Sequence, residues 1–73
     1  MAKIGITYQM ESKDSRAEDY VELNVTKEKC KLLDDGDIDA SFSIYKILRL
    51  LAELQGYSRI TGWSMELVAE TED

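Results

Sequence analysis

Seventy-three residues with nine bases, fifteen acids and a net charge of −6 make one domain, near the lower size at which a chain folds alone. Cys30 is the only cysteine and histidine is absent, which excludes a disulfide-stapled fold and argues against a metal site built on nitrogen or sulfur ligands. Residues 1–33 balance six bases against six acids, whereas residues 34–73 set three bases against nine acids and carry the whole −6. That balance repels phosphate backbones, so it argues against nucleic acid and favours a basic protein partner, or solubility alone. No apolar run reaches membrane-spanning length and the N-terminal residues lack the apolar core of a signal peptide. No membrane partner and a cytoplasmic location are the expectation.

In chain order, residues 3–10 alternate cleanly, with Ile4, Ile6, Tyr8 and Met10 on one face and Lys3, Gly5, Thr7 and Gln9 on the other. This is the period of a half-buried strand. Residues 11–18 carry no apolar periodicity and read as a mobile hairpin loop. A second strand is predicted over 19–26, with Val21, Leu23 and Val25 inward. Thr26 then caps a short helix over 27–33 whose inner face holds Cys30 and Leu33. A third strand over the same residues, with Cys30 and Leu32 inward, is the rival. Lys27, Lys29 and Lys31 do not share one helical face, so they make a charge-mixed surface rather than a phosphate cradle.

The long helix is predicted to start near Asp39 or Ser41 and to end at Gly56, which suits the left-handed position past a helix C-terminus. Ile44, Tyr45, Ile47, Leu48, Leu50, Leu51, Ala52 and Leu54 fall in one arc of about 200°, wider than an ordinary core-facing stripe. Such a helix requires a sheet and something more to cover it. Leu50 and Leu54 sit at the edge of the arc, where a small sheet does not reach. A last strand over 59–68 places Trp63, Met65 and Leu67 on one face. Glu66, Glu70, Glu72 and Asp73 read as a frayed acidic C-terminus.

The element order is β-β-α-α-β. A helix of some sixteen residues spans roughly 24 Å and reverses the chain, which sets the last strand antiparallel to the first. The expected fold is a single compact α+β domain with a three-stranded antiparallel sheet, order 2-1-3. One long and one short helix lie on one face of it.

Three features are candidates for function. The run Asp34-Asp35-Gly36-Asp37-Ile38-Asp39 has the alternating carboxylates of a calcium-loop start. In a frame beginning at Asp35, however, the sixth position is Ala40 rather than glycine and the twelfth is Lys46 rather than glutamate. A weak divalent site, a turn with helix caps, and an acidic contact patch for a basic partner all remain open readings. Phe42 falls on the polar side of the helical wheel; it is expected to fold back onto the short helix or, if exposed, to anchor a partner. Leu50 and Leu54 offer an apolar strip for a homodimer.

No Ser-His-Asp set, glycine-rich phosphate loop or cysteine pair is present, and no catalytic, cofactor or metal residues are assigned. The leading expectation is a small acidic, non-enzymatic protein-binding module that meets a basic site through Asp34, Asp35, Asp37 and Asp39. In charge and size it is similar to inhibitors carried by phages and mobile elements that mimic a phosphate array, which implies fast, salt-sensitive binding. The alternative is a homo-oligomeric assembly module using Leu50, Leu54 and Phe42.

Overall fold

A computed structural model describes residues 1–70. The elements are β1 (Ala2–Glu11), β2 (Arg16–Val25), α1 (Lys27–Asp34), α2 (Ile38–Leu54) and β3 (Arg59–Glu70), and the sheet order is β2-β1-β3, antiparallel throughout. The alternation in β1 sets the layers. Ile4, Ile6, Tyr8 and Met10 are almost fully buried under the helices, and the odd-numbered residues face the uncovered side.

Against these four side chains α2 lays one row, Ala40, Ile44, Leu48 and Ala52, spaced every fourth residue as the helical repeat requires. α1 adds only half-buried Cys30 and Leu33, and from the outer strands Val21, Leu23, Val25, Trp63 and Met65 close the core. The segment over 27–33 is therefore helical, and the strand alternative falls.

Both helices begin and end by the same local devices. Thr26 Oγ1 accepts from the Lys29 amide (3.1 Å) and Asp37 Oδ2 from the Ala40 amide (3.0 Å), each satisfying one of the amides a helix start leaves unpaired. At the ends, Gly36 and Gly56 take positive φ (81° and 89°). The amides of Asp37 and Tyr57 then reach back to the carbonyls of Leu32 and Ala52, both at 2.9 Å. The glycine amides bond to Leu33 and Glu53, which completes the Schellman pattern twice.

Three boundaries differ from the sequence reading. The hairpin loop is residues 12–15, not 11–18: Arg16, Ala17 and Glu18 are strand, paired with Glu11, Met10 and Gln9. Arg16 and Glu18 point to the uncovered face, so two of these three residues carry no apolar signal. α2 starts at Ile38 with Asp37 as its cap, rather than at Asp39 or Ser41. β3 runs to Glu70, so Glu66 and Glu70 belong to a paired strand and not to a frayed end, while Glu72 and Asp73 lie outside the described residues.

The two edge strands also differ. β2 matches β1 over ten consecutive pairs, whereas β3 slips register between Lys3 and Ile4 and again between Gln9 and Met10. Val68 and Thr61 are the extra residues, and bulges of this kind blunt an edge against pairing with another chain.

Candidate interaction surfaces

The acidic run is a turn between two helices, and its four carboxylates have separate fates. Asp37 is consumed as the α2 cap. Asp34 ends α1, Asp35 is its C-cap, and Asp39 stands in the first turn of α2, where a negative charge complements the helix dipole. The side chains of Asp34, Asp35 and Asp39 are exposed and make no hydrogen bond or ion pair with a described residue. Among the described residues no group of three or more carboxylates or thiols converges as a cation cage would require.

Phe42 does not fold onto α1. It remains 55% exposed, stacks on Tyr45 of its own helix (centroids 6.2 Å apart, planes 10° apart), and lies under the Lys46 ammonium at 4.7 Å from the ring centre. Partners three and four residues along the same helix hold the ring on the outer surface. One turn before it, Ile38 is 81% exposed. Ile38 was missed in the sequence because it lies between two aspartates, in a stretch that reads as loop. The structure thus gathers Asp35, Ile38, Asp39 and Phe42 at one corner, where the end of α1 meets the start of α2.

Leu50 (62% exposed) and Leu54 (84%) lie on a different part of α2, together with Ile47 (39%). On the helical wheel Phe42 is about 80° from Leu50, with Lys46 between them. The three residues first grouped as one strip therefore belong to two surfaces, a mixed acidic and apolar corner and an aliphatic flank.

The uncovered face of the sheet is a third surface, and several of its polar side chains pair with one another. Gln9 Nε2 donates to Glu18 Oε1 (2.8 Å) and the Tyr20 hydroxyl to Glu22 Oε2 (3.0 Å). Tyr20 can lie across β1 only because position 5 is glycine: a Cβ there would sit 2.1 Å from the phenolic oxygen. Desolvation raises the Tyr20 pKa, with help from the Glu22 bond and the charges of Glu22 and Glu66. At one end Glu11 faces Arg16 on β2 (3.0 Å) and is hydrogen-bonded by Arg59 on β3. The Arg59 bond above all, and then the charges of both arginines, hold the Glu11 carboxyl below its usual range.

On the helix side, Gln55 Nε2 donates to the Tyr8 hydroxyl (3.1 Å), which donates to Asp19 Oδ2 (3.3 Å); burial raises the Tyr8 pKa. A groove between α1 and β3 is lined by Lys27, Cys30, Lys31, Asp34, Glu66 and Glu70, a mixture of both charges around a half-buried thiol. No helix of the described residues is long and apolar enough to cross a membrane.

No protein-family model matches the chain, nor does any curated protein or solved structure. The surfaces themselves are the ground for a functional reading.

Proposed function

We propose that this chain is a non-catalytic protein-binding module that engages a basic partner through the corner formed by the end of α1 and the start of α2. One observation carries the reading: exposed carboxylates of Asp35 and Asp39 stand at the same corner as two largely exposed apolar side chains, Ile38 and Phe42, with Asp34 at the end of α1 adding to the local negative charge. Exposed carboxylates give long-range attraction and a fast encounter, while an aliphatic and an aromatic side chain supply area for a desolvated contact. A basic site that normally holds nucleic acid fits this chemistry, and in that inhibitory form the chain and a nucleic acid compete for one surface. A location in the cytoplasm belongs to the same proposal.

The test is chemical-shift mapping of the labelled protein against a short peptide carrying lysine, arginine and one aromatic residue. The perturbed amides are expected to cluster over residues 34–42, to fade at high salt, and to vanish in Phe42→Ala and in the double variant Asp35→Asn/Asp39→Asn. Perturbations confined to the open sheet face, or undiminished in those variants, reject the corner as the binding site.

A second reading, assembly of identical chains, draws its support from Leu50 and Leu54, which stay 62% and 84% exposed.

A further inference from the structure

We infer that the aliphatic flank of α2 is covered by the same flank of a second copy, with the two helices running antiparallel across a twofold axis. The inference rests on the assembly reading and goes beyond it in fixing occupant and orientation.

Ile47, Leu50 and Leu54 are spaced three and four residues apart, the interval that keeps side chains on one helix-to-helix seam, and small Ser43 continues the line one turn earlier. All three apolar side chains are exposed, whereas the row that meets the sheet is separate and already complete. Ser43 and Ile47 border a groove toward Lys29 and Leu33 of α1, while Leu50 and Leu54 stay largely exposed.

Charge selects the occupant. Lys46 and Glu53 are seven residues apart and border one rim of the seam, about 20° from each other on the wheel. An antiparallel copy brings Glu53 of each chain opposite Lys46 of the other, and twofold symmetry makes the pair twice. A parallel copy would put the two Lys46–Glu53 rims on opposite sides of the seam and form neither pair. The antiparallel arrangement also puts each helix N-terminus near the other's C-terminus, the favourable direction for their dipoles. In the single chain Lys46 rests over Phe42 and Glu53 pairs with Arg49 at 3.4 Å. Both are exposed contacts of the kind that exchange at little cost.

The test is light scattering after size exclusion over a range of protein concentrations, with far-UV circular dichroism to show that each variant is folded. The native chain is expected to dimerise, and Leu50→Glu to remain monomeric and folded. Lys46→Glu and Glu53→Lys are each expected to weaken the dimer about fivefold or more, and the double exchange to restore most of the loss. A native chain that stays monomeric to millimolar concentration overturns both the assembly reading and this inference. A dimer that Leu50→Glu abolishes but that the double exchange fails to restore leaves assembly standing and overturns the antiparallel seam.

Discussion

Two surfaces of this molecule are left uncovered by its own fold, the open face of the sheet and the outer side of α2. They are built on opposite principles. On the sheet, Gln9 meets Glu18, Tyr20 meets Glu22 while lying over Gly5, and Glu11 is held between Arg16 and Arg59. An antiparallel sheet tolerates water on one side when that side carries such polar pairs. On α2 the corresponding surface carries Ile38, Phe42, Ile47, Leu50 and Leu54, and of these only Phe42 has a ring or charge contact of its own. The first surface is self-sufficient in the single chain. The second is not, and it is where a chain of this size has surface left to spend on a partner.

The largest expected effect separates the covered and uncovered rows of α2. Leu48 and Leu50 are two residues apart, yet Leu48 has no exposed area and Leu50 keeps 62% of its own. Leu48→Ala is expected to cost about 2–5 kcal/mol, as buried leucine truncations do. A domain this small has only a few kcal/mol in reserve, so the variant should be largely unfolded at 25 °C. Leu50→Ala is expected to change stability by less than about 0.5 kcal/mol in dilute solution. Urea unfolding followed by circular dichroism measures both. A cost at Leu50 comparable to that at Leu48, at a concentration where the chain is monomeric, would mean that the buried face of α2 extends as far as Leu50.

A smaller effect sharpens the division within the acidic corner. Asp37 is bonded to the Ala40 amide, and Asp35 is not bonded by its side chain to any described residue. Asp37→Ala is expected to lose about 1 kcal/mol of stability, the usual worth of an N-cap. Asp35→Asn is expected to lose less than about half of that, since no helix start depends on it. Equal losses would assign Asp35 a structural role and remove it from the candidate contact surface.

What the sequence makes legible follows the range of each interaction. The alternation of Ile4, Ile6, Tyr8 and Met10, the caps at Thr26 and Gly56, and a helix long enough to reverse the chain lead to three antiparallel strands in order 2-1-3. These signals are local, and the structure reproduces them. Coverage is not local. The wheel places Leu50 and Leu54 beside Leu51, but only packing shows that the core takes the row through Leu48 with half-buried Leu51 beside it and leaves Leu50 and Leu54 exposed. Likewise Phe42 is held outside by Tyr45 and Lys46, a preference among its own helix neighbours that a hydropathy pattern does not rank. Residues 16–18 were hidden because an edge strand with one uncovered face alternates charges around a single small Ala17. The aspartates were visible at once, but which of them is a cap depends on whether the helix starts at 38 or at 41.

The smallest effect tests whether the open face is self-sufficient electrostatically. Glu11 has two arginines directly opposite, one on each neighbouring strand. Its pKa in the fold is lowered from the ordinary value of 4.5, chiefly by the Arg59 hydrogen bond. A depressed folded pKa means that the unfolded chain takes up the proton first as the pH falls. The stabilisation from Glu11 is therefore complete above pH 4.5 and is lost as the pH drops through the lowered folded value. Glu11→Gln is expected to flatten the acid side of the stability–pH curve while leaving the profile above pH 6 parallel to that of the native chain. Added salt should reduce the difference between the two proteins, because both ion pairs are open to solvent on the arginine side. An acid limb equally steep in Glu11→Gln would move the linkage to another carboxylate and leave the two arginines without a stabilising function. The uncovered sheet would then resemble α2 more closely than its hydrogen bonds suggest.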